Sequence, residues 1–192
     1  MEYTAKTFNL QTLEGLSEKQ IEVHLSLYEG YVKHVNHLRS QIHDLEEQDK
    51  EKYAYAIAEL RRRLGFEFDG MRMHEYYFTQ FEGGATDVPK NLSALVSEKY
   101  GSWDGFIEHF TTVGLTRGIG WTVLYQDPEA NTVHVAWVGD HELGQLSGLP
   151  IILAMDMWEH AFMVDYLPSE KKAYIEAFLK NTNWETVAKR IV

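Results

Sequence analysis

From Ser17 to about residue 46 the chain keeps a three-then-four spacing of seam positions. Ile21, His24, Tyr28, Tyr31, Val35, Leu38, Ile42 and Leu45 form one stripe, which predicts a long amphipathic helix. Ser17-Glu-Lys-Gln20 reads as a capping box, with Ser17 at the N-cap and Gln20 at N3. After the charged stretch "EEQDKEK", Tyr53, Ile57, Leu60 and Leu64 start a second stripe, which runs on through "FEFDGMRMHEYYFTQF". Two such segments joined by a short polar turn predict an antiparallel helical hairpin.

"EGGATDVP", residues 82–89, is a Gly/Pro-containing linker, and it divides the chain into a hairpin domain, 1–84, and a second domain, 85–192. Beyond it the texture changes. "NLSALVSEKYG" and "SWDGFIEHFTTVG" predict two shorter helices, the second capped by Ser102. "WTVLYQD" and "VHVAWVG" are β-branched and aromatic, and "PEANT" between them reads as a hairpin loop. "LPIILAM" supplies a third strand, and "EKKAYIEAFLKN" and "WETVAKRI" read as closing helices. The predicted class is α+β: a helical hairpin, then an α+β half with a small antiparallel sheet of about three strands.

Composition narrows the chemistry. The 192 residues suffice for one sizeable core, and no run approaches the roughly 20 apolar residues of a membrane span. A net charge of −11 argues against a nucleic-acid partner, whose phosphates reward the opposite sign. There are no cysteines, so any transition-metal site must be built from His, Asp or Glu. The N-terminus lacks a secretory pattern, and the default compartment is the cytoplasm.

Against this background a few polar residues occupy core positions. His24 sits on the seam of the first helix. His74 shares one face of the second with Gly70, Tyr77, Phe78 and Phe81. Asp156 closes the apolar run "LPIILAM", and His160 follows four residues later; a turn of helix over 156–160 would point both side chains the same way. Taken singly, a histidine on an apolar face is more often a hydrogen-bonded core residue than a ligand, and Asp156 reads equally well as a helix cap. Together, three seam histidines and one buried carboxylate make an N₃O set suited to Fe, Mn or Zn. His34, His37, His43, His109 and His134 read as surface or structural residues.

The heptapeptide "DMWEHAF" resembles the D-x-W-E-H-A-[FY] signature of the iron/manganese superoxide dismutases. "IEVHLSLYEGYV", "GMRMHEYYF", "GIGWTVLYQD" and "NWETV" are similar to other segments of that family, in the same order along nearly the whole chain. The resemblance implies His24, His74, Asp156 and His160 as ligands of one redox-cycling Fe or Mn per subunit, with superoxide as substrate. It implies that Trp121 and Trp158 wall the site beside the ligands, and that Glu159, read as a second buried acid, reaches across the interface of a homodimer or higher homo-oligomer. The family often sets a glutamine against the metal-bound solvent, either four residues before the second ligand histidine or on the sheet. The first position here is Gly70, and on the sheet side His141 falls where some branches carry histidine. Gly70 leans toward the manganese pattern and His141 toward iron, and iron is slightly favoured. After the first ligand the chain is one residue shorter than the usual pattern, so either Tyr28 or Tyr31 replaces the gate tyrosine, and Met163 stands where the family has Tyr. Lys33 and Lys171 are the basic residues considered for attracting the anionic substrate. Two other readings stand beside the dismutase: a mononuclear non-haem iron oxygenase using two histidines and a carboxylate, and a non-catalytic metal-binding protein on the same fold.

Overall fold

A computed structural model describes residues 2–192. Helix α1 (Glu18–Asp49) and helix α2 (Ala54–Thr79) form the predicted hairpin. Ser17 accepts a hydrogen bond from the Gln20 amide at 3.1 Å, so half of the capping box forms. The other half does not. The Gln20 side chain is buried and turned away from its own helix end toward His160 and Val164. Along the seam, Gln20, His24, Tyr28, Val32, Val35 and Leu38 are buried, whereas Ile42 and Leu45 are only partly covered. The hairpin therefore reaches past the core, and its tip rests on its own two helices.

The second half starts with α3 (Lys90–Tyr100) and α4 (Trp103–Gly114), the latter capped by Ser102 through the Gly105 amide. Strands β1 (Gly120–Asp127), β2 (Thr132–Gly139) and β3 (Ile151–Asp156) make an antiparallel sheet in the order β2-β1-β3. The central strand is buried on both faces, which explains why its sequence reads as a nearly continuous apolar run rather than an alternation. Helix α5 (Lys171–Asn181) and a five-residue α6 (Trp184–Ala188), shorter than its sequence pattern predicts, close the chain.

Two residues far from the sheet in sequence lock α2 against β3. Gln80, at the end of α2 and fully buried, donates to the Ala154 carbonyl at 2.5 Å. Arg190 donates to the Ile152 carbonyl (2.9 Å) and the Tyr76 carbonyl (3.0 Å), satisfying groups on both elements at once. The relative height of His74 on α2 and Asp156 on β3 follows from these bonds.

Candidate metal centre

Asp156 is the last residue of β3 and lies directly opposite Trp121 of β1, so both side chains leave the same face of the sheet toward the hairpin. His160 is not on a helical turn with Asp156, contrary to the sequence expectation. The strand ends at Asp156, whose Oδ1 caps the Trp158 amide at 2.8 Å, and a 3-10 turn over Glu159–Ala161 carries His160 back. The i+4 proximity survives through a strand end plus a tight turn. The buried Gln20 holds that turn: its Nε2 donates to the His160 carbonyl at 2.6 Å, and its Oε1 accepts from the Val164 amide at 3.0 Å. Sequence reasoning assigned Gln20 only to the capping box. The overlooked signal was its position one turn before His24, on the same buried face.

The Nε2 atoms of His24, His160 and His74 lie 3.0, 3.1 and 3.5 Å from one oxygen of Asp156, and the ligand atoms of all four residues are within 4.8 Å of one another. His24, His74 and Asp156 are wholly buried. Such spacings match neighbouring ligands on one ion, since bonds of about 2.1 Å at roughly right angles put adjacent donors about 3 Å apart.

His74 gives the sharper test of fit. Its Nδ1 stands 2.6 Å from the Gly70 carbonyl, which can only accept, so Nδ1 carries the proton. Burial holds the ring well below the usual imidazole range and therefore neutral. Its Nε2 is then a bare lone pair with no hydrogen-bond partner among the described residues, aimed at a carboxylate oxygen. Burial opposes the charge of Asp156, but the charges and hydrogen bonds of His160 and His24 overcome it and hold the carboxyl well below the usual range. A lone pair facing a buried anion is repulsive. A cation between them turns that repulsion into attraction. Imidazole nitrogens with one carboxylate suit iron, manganese or zinc. The triad of a mononuclear iron oxygenase needs only two of these histidines, whereas the third converges on the same carboxylate oxygen.

Around the cluster runs a second layer. His141 is buried in the turn after β2, where Asp140 adopts φ +51°, a left-handed conformation that aspartate tolerates better than most residues. The Trp121 indole N–H donates to His141 Nδ1 at 2.9 Å, and His141 Nε2 lies 2.7 Å from the Tyr31 hydroxyl. Burial lowers the His141 pKa to about 4, so the ring is neutral near pH 7. An indole can only donate, so the ring proton sits on Nε2 and is given to Tyr31, and the tyrosine's own hydrogen is left to point elsewhere. Trp158 stacks on His141 (5.0 Å) and on His160 (5.7 Å), and its indole donates to the Asp140 carbonyl. Phe66, absent from the sequence-based site, meets His141 edge-on at 4.6 Å; it lies two turns before His74 on the same helix face.

A family model described as iron/manganese superoxide dismutases, C-terminal domain, matches residues 88–190. The chain belongs to this family. It is 31% identical over 185 residues to an iron superoxide dismutase of Aquifex aeolicus, covering 94% of this chain and 86% of the relative. It is 29% identical over 196 residues to an iron superoxide dismutase of Sulfolobus acidocaldarius, covering 99% and 92%. A manganese/iron superoxide dismutase of Aeropyrum pernix is 27% identical over 191 residues, covering 96% and 87%.

As a member of the iron/manganese superoxide dismutase family, the chain departs from the usual pattern at defined places. Gly70 leaves room for Tyr31: a Cβ there would stand 2.7 Å from the tyrosine ring. Tyr31 follows His24 by seven residues, two helical turns, and reaches His141, whereas Tyr28 turns toward Glu75 (3.3 Å) and the Lys6 amide (2.9 Å). Burial pushes the Tyr28 phenol up to about 12. Glu159 is exposed in the single chain, not buried as read from sequence, because its 3-10 turn points it outward beside His160. Lys33 is exposed, two residues along α1 from Tyr31 and so roughly on the opposite side of the helix. Lys171 donates to the Gly118 carbonyl at 3.2 Å, and its charge interacts with Glu159. His34, His37, His43 and His109 are exposed, and His134 is partly exposed beside Lys99.

Proposed function

We propose that the protein is a superoxide dismutase with one iron per subunit held by His24, His74, Asp156 and His160. The observation that carries the reading is the unpaired His74 Nε2 facing Asp156 within a converging three-histidine set. Bound iron or manganese supplies one-electron cycling between the +3 and +2 states. One superoxide is oxidised to dioxygen and a second is reduced to hydrogen peroxide, with two protons taken up.

The chain's own groups do the rest. Asp156 would supply the one negative charge to a bound ion, and His24, His74 and His160 would hold it as neutral imidazoles. Trp121 fixes the tautomer of His141, and His141 orients Tyr31. The Tyr31 pKa is pushed above its ordinary value, first by burial and then by the Asp156 charge, so its oxygen keeps a proton to hold at the mouth of the site. Phe66 and Trp158 limit the water that reaches the cluster. Tyr31, rather than Tyr28, is the gate in this reading. Such outer-shell bonds tune both potential and proton supply.

Iron is favoured by the names of the relatives given above and by His141 on the sheet side. A homodimer follows from the family resemblance, and the exposed Met163, Val164 and Leu167 just beyond Glu159 and His160 support it as an apolar surface suited to burial. The two-domain division at residues 84 and 85 places His24 and His74 on one domain and Asp156 and His160 on the other. The cytoplasm is the proposed compartment, by default.

The test is to purify the protein without added metal, measure Fe, Mn and Zn per chain, and assay dismutation on the same sample. About one Fe per chain with chelator-sensitive activity is expected. A metal-loaded sample that does not dismutate superoxide overturns the reading and leaves a non-catalytic metal binder.

A further inference from the structure

A chain with a net charge of −11 must still admit an anion, and neither lysine considered from the sequence faces the Tyr31 side of the site. On α2, Arg63 does. Its guanidinium lies 3.9 Å over the Phe66 ring, and Phe66 in turn touches His141 at 4.6 Å. Arg63 also pairs with Glu67 one turn on, at 2.6 Å. The pair is lopsided: the Glu67 side chain is 7% exposed and that of Arg63 is 49% exposed, so the positive end faces water. Its charge is felt at both Tyr31 and His141. Asp156, Glu67 and Asp140 act on Tyr31 in the opposite sense, the first two more strongly, so Arg63 is the cation that offsets part of an otherwise negative local field.

We propose that Arg63, held 3.9 Å over the Phe66 ring, draws superoxide to the Tyr31–His141 mouth and is a substrate-specificity residue of this protein. The inference rests on the dismutase reading for its substrate but not for its geometry. Phe66 serves as the platform: a guanidinium placed over a ring keeps its edge N–H groups for polar partners, and since Glu67 takes Nε (2.8 Å) and Nη2 (2.6 Å), the Nη1 N–H groups are the ones offered to an anion. Removing a cation at a funnel lowers association and flattens its dependence on salt.

The experiment compares Arg63→Gln, Arg63→Lys and Glu67→Gln with the parent protein, all checked first for metal content and melting temperature. Two quantities are read at low and high ionic strength: kcat/KM for superoxide, and the affinity of azide for the loaded protein, as a small monovalent anion. Arg63→Gln is expected to lose roughly threefold to tenfold in both at low salt and little at high salt. Arg63→Lys is expected to retain most of both. Glu67→Gln, which unmasks the guanidinium, is expected to raise both. Arg63→Gln with unchanged rate and azide affinity at low salt, whatever its melting temperature, overturns the proposal and makes the arginine a structural partner of Glu67. If the parent protein holds metal but does not dismutate superoxide, the dismutase reading fails, and azide affinity alone still decides for or against Arg63 as an anion-attracting group.

Discussion

Replacing Gly70 by alanine adds one methyl group to α2 and tests how Tyr31, the proposed gate, is held. The new Cβ would lie 2.7 and 2.8 Å from two carbons of the Tyr31 ring. Ordinary contact begins near 3.4 Å, so the ring must retreat by about 0.7 Å. Its partner is rigid: His141 is pinned by Trp121 on one side and stacked on Trp158 on the other. A retreat of that size lengthens the 2.7 Å Tyr31–His141 bond to as much as about 3.4 Å, beyond the ordinary hydrogen-bond range. The stability terms nearly cancel: overpacking costs about 1–3 kcal/mol, and alanine gains about 0.8–1 kcal/mol over glycine in a helix interior. The expected result is a net destabilisation of about 0–2 kcal/mol, iron content unchanged, and dismutation reduced about 10-fold to 100-fold, the range for outer-shell partners of metal sites. Thermal melts, iron analysis and turnover on one preparation measure all three. Full activity with unchanged stability would refute the argument that Gly70 exists to make room for Tyr31.

Two further outcomes follow from the same geometry. Tyr31→Phe should lose activity by at least an order of magnitude, whereas Tyr28→Phe should cost about 1 kcal/mol of stability from its bonds to Lys6 and Glu75 and far less activity; turnover and denaturant midpoints of the pair decide. Stability should also fall with acid: His24, His74 and His141 are all held below 6.5, His141 at about 4, so the unfolded chain binds more protons as pH drops below 6.5. The loss from His141 alone is on the order of 3 kcal/mol by about pH 4, and proton competition for the ligand histidines adds in the same direction. Denaturant unfolding between pH 7.5 and 4.5 reads it, and a flat or rising stability on acidification would contradict it.

The cluster of His24, His74, Asp156 and His160 was legible in the sequence because its members broke local rules. His24 and His74 interrupt apolar seams, and Asp156 ends a strand-like run with a charge. The hairpin and the sheet were legible for the converse reason, since their periods agree with their burial. What the sequence could not show was set by contacts between distant segments. Tyr28 and Tyr31 share a helix face with His24 at four and seven residues, so periodicity cannot rank them; His141, more than 100 residues away, does. Gln20 satisfies a local capping pattern that its burial overrides, because the turn around His160 needs two hydrogen-bond partners. Glu159 sits in an apolar signature yet faces outward, since a 3-10 turn at a strand end rotates side chains differently from an α-helix.

The central claim is that one redox metal is held where three histidines meet Asp156, and it is tested most directly by metal stoichiometry in two histidine variants. His160→Ala removes a ligand 3.1 Å from the shared carboxylate oxygen, and His134→Ala removes an imidazole on β2 beside Lys99. Elemental analysis with turnover on the same samples should find iron and activity both lost in His160→Ala and both kept, near one iron per chain, in His134→Ala. Stoichiometric metal in His160→Ala, or its loss in His134→Ala, would contradict the assignment of the site.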